Sequence, residues 1–189
     1  MKVIEQEIHS LKNSISEMWA LVHQQLYNAG EAMLTGDKEL AYKVISRERR
    51  VNAFELKIDS DCEDIIALYA PVAIDLRFVL AMYKINTNLE RLGDFAESIA
   101  RFAGNLPEGE PIDPQLVKET RVEEMLSELL SMISLTKEAF EKESSEIASR
   151  IFLKDNLIDE INHNSTAIIA KYIEEHKGCL LYTSDAADD

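Results

Sequence analysis

VISRERRVNAFELKIDSDCEDI, residues 44–65, has the period of a helix. Val44, Val51, Phe54, Ile58, Cys62 and Ile65 recur at steps of seven, three and four, which puts them on one face, and the alternation of a strand is absent. Working outward, Thr35-Gly36-Asp37 breaks the chain before this segment and Ala70-Pro71 breaks it after. Beyond Pro71 the period resumes in Leu89, Leu92, Ala96, Ile99 and Ala103. Gly104 to Pro114 is the longest loop signal, Ser144-Ser145 marks a further turn and Lys177-Gly178 a further stop. The breakers predict three helical segments of about 30 residues and then two more of similar length. Long helices joined by short turns are antiparallel neighbours, so the first three form a bundle.

The composition agrees. Hydrophobic residues make up 46% of the 189-residue chain, enough for a core, while only six glycines and four prolines interrupt it. Asp and Glu outnumber Lys and Arg by 35 to 20, a formal charge of −15. Such a surface cannot displace counterions from a nucleic-acid backbone, and it suits cations. Cys62 and Cys179 give neither a disulfide framework nor a zinc site, so a reduced compartment is expected. Charges interrupt Met1-Lys2-Val3-Ile4-Glu5 where a signal peptide needs an apolar run, and no apolar stretch approaches the roughly 18 residues of a membrane span.

The second half repeats the first without a gap when numbers are shifted by about 107 positions. Met18 falls on Met125, Glu31 on Glu138, Ala32 on Ala139, Val44 on Ile151 and Val51 on Ile158. Glu48 falls on Asp155 and Asn52 on Asp159. The expected fold is all-α: tandem antiparallel three-helix bundles, the second incomplete. The first bundle is assigned to 1–106 and a partial second bundle of two helices to 114–178.

Acidic residues are not scattered evenly. Glu48, Asn52, Glu55 and Asp59 form a stripe flanking the apolar seam of the second helix, and Glu90 and Asp94 stand one turn apart on the third. If these helices turn about Pro71, Glu48 comes level with Asp94 and Asn52 with Glu90, at roughly 1.5 Å of rise per residue. Three carboxylates and an amide oxygen at one level suit a hard cation such as iron or magnesium. A solvated acidic face is the simpler account of any one such pair in a chain this acidic.

Three stretches carry a resemblance. Pro71-Val72-Ala73-Ile74-Asp75-Leu76-Arg77 is similar to the P-x-x-x-D-L-R segment of the PhoU family. Asn88 to Ala96, NLERLGDFA, resembles its L-E-R-[IL]-G-D-x-A signature, and Val51 to Asp59 resembles its acidic second-helix stretch. The likeness spans about residues 3 to 176. It implies two three-helix bundles related by a pseudo-twofold, with metal bound on the bundle surface. Carried over, a first site uses Glu48, Asn52, Glu90 and Asp94, where Asn52 departs from the all-carboxylate pattern, and a second begins with Asp155 and Asp159. Iron, magnesium or zinc is the implied metal. The resemblance further implies a cytoplasmic, non-enzymatic homodimer that negatively regulates the phosphate regulon. Such a protein works as an adaptor between subunits of the phosphate ABC transporter and a sensor histidine kinase, and meets the membrane only through those partners. Arg77 and Arg91 belong to the family motifs and are candidate partner contacts; surface salt bridges are the ordinary alternative.

By the repeat, a second Glu-x-x-x-Asp falls past Asp189. The tail from Cys179 to Asp189 breaks the helical pattern and reads like translated sequencing adapter, so it is expected to be non-native. Ile151, Ile158, Ile161 and Ile168 would then lack one covering helix. Two other functions compete. A ferritin-like di-iron protein needs Glu-x-x-His on two helices, and this sequence has one, Glu160-Ile161-Asn162-His163. A related accessory domain of a different phosphate permease would share the fold, and gene order distinguishes it. Trp19 sits in a helical seam and belongs to the core.

Overall fold

The structure, a computed structural model, describes residues 3–107 and 111–176; Cys179 and the rest of the expected non-native tail lie outside the described residues. All regular structure among the described residues is helical, and the chain divides into two compact units, Met1–Glu110 and Pro111–Asp189.

The first unit is an antiparallel three-helix bundle of α1 (Val3–Thr35), α2 (Lys38–Tyr69) and α3 (Ile74–Asn105), each packed on the other two. Gly36 makes the first turn at φ 71°, where a side chain would be strained. Asp37 then caps α2 by accepting from the Leu40 amide at 2.9 Å, a contact of about 1 kcal/mol. The second turn is formed by Ala70, left-handed at φ 44°, and by buried Pro71.

The core follows the seams. Leu11, Ile15, Met18, Val22 and Leu26 of α1 are sealed against Val44, Val51, Ile58 and Cys62 of α2 and Val79, Met82 and Leu89 of α3. At the end near Gly36 the buried residues become small, with Ala29, Ala32, Ala41, Ala96, Ala100 and Ala103, so the helices close together there. Two buried amides fix the register. Gln25 of α1 donates to the Val44 carbonyl at 2.8 Å, and Asn86 of α3 donates to the Glu55 carbonyl at 2.9 Å. Both carbonyls belong to α2.

The second unit holds α4 (Pro114–Thr120), α5 (Val122–Glu141) and α6 (Ser145–Glu175). Here the structure departs from the expected single long segment: the fourth helix breaks at Arg121, which is left-handed at φ 54°. No glycine or proline marks the break. It is held by tertiary contacts instead. The Arg121 guanidinium bonds Glu124 through two nitrogens and reaches Glu160 of α6 at 3.1 Å, while Ser165 of α6 donates to the freed Thr120 carbonyl at 3.2 Å.

These contacts bring the α4–α5 junction onto α6 and cover Ile161, which is buried although it is among the residues expected to lack one covering helix. Ile151, Ile158 and Ile168 are half-buried. The shift of about 107 residues carries the Asp37 cap onto the Ser144 cap and the start of α2 onto the start of α6. It also carries left-handed Gly36 onto Glu143, left-handed at φ 51°. In that second turn the Ser144 amide reaches back to the Ala139 carbonyl and the Glu143 amide to Phe140, closing the end of α5.

Candidate functional site

The acidic face of the first unit depends on one glycine. Gly93 of α3 is buried against Val51 of α2, and a Cβ there would stand 2.9 Å from Val51 Cγ1. The helices approach closely at this point, and the residues beside the contact are those of the acidic rows. Glu48 and Asn52 lie around Val51; Glu90 and Asp94 lie around Gly93.

On α2, Glu48, Asn52, Glu55 and Asp59 are half-buried; on α3, Asn86 is buried, Glu90 half-buried and Asp94 exposed. Asn52 hydrogen-bonds the Glu48 carboxylate, and Asn86 Nδ2 donates to Asp59 Oδ1 at 2.7 Å. Burial pushes the Glu48 carboxyl above the usual range; the charges of Glu97 and Asp94 add to the shift, and the Asn52 bond and Arg101 oppose it. Glu55 is raised by burial and by the charges of Asp59 and Asp94. Glu90 is raised by burial, by the charges of Asp94 and Glu55, and by a hydrogen bond to Asp94 that needs a proton between the two. Thus Glu48, Asn52, Glu90 and Asp94 share one face, as the hairpin geometry requires.

This face is electrostatically strained, because like charges meet where water is partly excluded. Its oxygen donors suit a hard cation, which would relieve the repulsion. The buried Oδ1 of Asn86 has no hydrogen-bond partner, one more oxygen at the edge of the row. Among the described residues, no three carboxylate, imidazole or thiol groups stand close enough to form a ready-made cage.

Asn86 and Glu97 escaped the sequence reading. Asn86 continues the row Asn86–Glu90–Asp94 one turn back, a spacing visible in the sequence although a neutral amide does not stand out beside carboxylates. Glu97 is recognisable only through its partner: Arg101 Nη2 binds Glu97 Oε1 at 2.6 Å. That arginine, rather than Arg77 or Arg91, supplies the positive charge felt by Glu48. Arg77 and Arg91 are both exposed on α3.

The repeat's other pair is differently placed. Asp155 and Asp159 are exposed one turn apart on α6. Cations balance their neighbours: Lys154 binds Glu128 of α5 at 2.7 Å, and Arg121 binds Glu160. His163 is exposed, and Glu160 is taken up by Arg121, so the lone Glu-x-x-His lies on the outside of α6.

Comparison with known proteins decides the family. A protein of Aquifex aeolicus described as a phosphate-specific transport system accessory protein PhoU homolog is 33% identical over 171 residues, covering 89% of this chain and 75% of the relative. The chain belongs to the PhoU family. The PhoU domain model matches residues 15–103, which span the seams of all three helices and both acidic rows. The Escherichia coli K12 phosphate-specific transport system accessory protein PhoU is 34% identical over 154 residues, and the chain spans 62% of its length. Among solved structures, PhoU from Pseudomonas aeruginosa superposes with a TM-score of 0.82 at 25% identity, covering 93% of this chain and 83% of that one. The phosphate transport system regulatory protein PhoU from Streptococcus pneumoniae gives 0.80 at 28% identity, covering 92% and 80%. Family members thus share the helical-bundle fold described above.

Proposed function

We propose that this chain is an accessory and regulatory protein of phosphate transport, an adaptor rather than an enzyme. The observation that carries this reading is its 33% identity, over three quarters of the relative's length, to a phosphate-specific transport system accessory protein. The proposed role is cytoplasmic. The protein would engage subunits of the phosphate ABC transporter and a sensor histidine kinase, as a homodimer, and keep the phosphate regulon off when phosphate is plentiful. None of the described helices is long and apolar enough to cross a membrane, which is compatible with reaching the membrane through partners. In cells lacking the gene, expression of the phosphate transporter should rise in phosphate-rich medium; unchanged expression would refute the reading.

The acidic face is proposed to hold a metal cation, with Glu48, Asn52, Glu90 and Asp94 as donors and Asp155 and Asp159 starting a second site. Iron, magnesium or zinc would supply positive charge and Lewis acidity. The raised carboxyls of Glu48 and Glu90 support this, because each carries a repulsion that a bound cation removes. Metal content of purified protein should fall in Glu90→Ala and Asp94→Ala. Equal content in all three proteins would count against the site.

A further inference from the structure

The corner between α2 and α3 is built unlike the turn between α1 and α2. Two alanines, Ala70 at φ 44° and Ala73 at φ 48°, take backbone conformations that normally call for glycine. Pro71 between them is buried and anchors the loop to the bundle. The helix that follows begins at Ile74 with no side chain capping it. This strained corner turns apolar side chains outward: Leu68, Val72 and Ile74 are 72%, 73% and 79% exposed. Three large apolar residues so exposed within seven positions of one tip mark it as a candidate interaction surface.

The charges around the tip select its partner. Asp61, Glu63 and Asp64 precede it on α2, and Asp75 follows on α3. The bond from Lys57 Nζ to Ser14 Oγ shows the α1–α2 register, which brings Glu7 level with the last turns of α2. Of the nearby cations, Lys57 is paired with Asp61, and Arg77 stands one turn into α3. An apolar knob in an acidic ring repels an anionic lipid surface and a second identical tip alike, and attracts an apolar surface rimmed with Lys or Arg. We propose that the α2–α3 corner is a docking knob for a cationic amphipathic helix of a partner protein. Leu68, Val72 and Ile74 fill its apolar groove, and the surrounding carboxylates meet its basic rim.

The test uses the full chain and a fluorescent amphipathic Leu/Lys helix as probe, read by anisotropy. A Leu/Glu helix of the same pattern and phosphatidylcholine vesicles with and without phosphatidylserine serve as alternatives. The Leu/Lys helix should bind, more weakly as salt is raised. The triple variant Leu68→Ser, Val72→Ser, Ile74→Ser should weaken binding at least about tenfold, while Phe152→Ser with Leu153→Ser, equally exposed on α6, should leave it unchanged. If the triple variant loses helicity, Val72→Asp alone carries the same expectation. Equal binding by the tip and α6 variants overturns the proposal, as does equal binding of the Leu/Glu helix. Tip-dependent capture by phosphatidylserine vesicles in place of the peptide would reassign the corner to the membrane.

Discussion

The hairpin α1–α2 and the hairpin formed by α4, α5 and α6 are two readings of one repeat, and they are buried to different depths. Leu26 and its counterpart Ile133 are both buried, as are Ala32 and Ala139. Away from that end the copies part. Met18, Val44 and Val51 are sealed, whereas Met125, Ile151 and Ile158 are half-buried. The first hairpin has α3 packed on both of its helices; among the described residues the second has no counterpart of α3, since α4 and α5 together match α1. The hairpin therefore sets the turn and the register, and a third long helix closes the core. The same helix assembles the acidic face, because Glu90 and Asp94 arrive with it.

The sharpest way to break this comparison is one substitution made in both copies. Met18→Ala should cost about 2–5 kcal/mol, the range for emptying a sealed site, and Met125→Ala less than half of that. Urea unfolding, with hydrogen exchange resolved by segment, measures both; equal costs would mean that the third helix is not what separates the copies. Next in size is Gly93→Val. Its branched side chain meets Val51 and should cost about 1–3 kcal/mol by overpacking. It should also loosen the acidic face, seen as a downward return of the Glu48 and Glu90 carboxyls in NMR titration.

The two turns give a smaller pair of opposite sign. Gly36→Ala should destabilise by about 1 kcal/mol, because a left-handed position gains a Cβ. Glu143→Gly, at the matching position, should stabilise by about 0.5–1 kcal/mol. Thermal melts of the two variants check this, and a shift of the same sign in both would refute the equivalence of the turns.

The smallest effect is a split in pH dependence. Glu48, Glu55 and Glu90 sit above their ordinary value of 4.5 in the folded protein. Between 4.5 and the raised folded value the folded state binds more protons, so the first unit loses stability as pH rises through that window. In the second unit Asp113, Glu124 and Glu138 are lowered, chiefly by hydrogen bonds from the Gln115 amide, Arg121 and Lys142. Their contribution is present above the ordinary carboxyl range and is lost as pH falls through the depressed values. All three are open to solvent at least in part, so salt screens the effect. Hydrogen exchange across a pH series should show the first unit tightening on mild acidification, and the second loosening on further acidification. Parallel behaviour in both units would sink the assignment.

Much of this was legible because helices announce themselves locally. The seams, Gly36 and Asp37, and the Ala70-Pro71 corner depend on residues a few positions apart, and each ends or starts a helix near where periodicity and breakers place it. The acidic rows were legible for the same reason. The break at Arg121 was not, because its cause lies some 40 positions away, in Glu160 and Ser165. Asn86 and Glu97 escaped likewise: what matters about each is a neighbour on another helix or another turn, which spacing along one segment does not reveal. The closeness of the acidic rows was implicit in Gly93, whose meaning becomes plain only with Val51 opposite.

The two amides that grip α2 limit how this protein can transmit a signal. Gln25 holds the Val44 carbonyl from one side and Asn86 holds the Glu55 carbonyl from the other. Sliding α2 along its axis would have to break both bonds, one of them fully buried. Piston motion of the helix that carries Glu48 and Asn52 is thereby opposed. A motion that keeps both bonds carries the three helices of the first unit together.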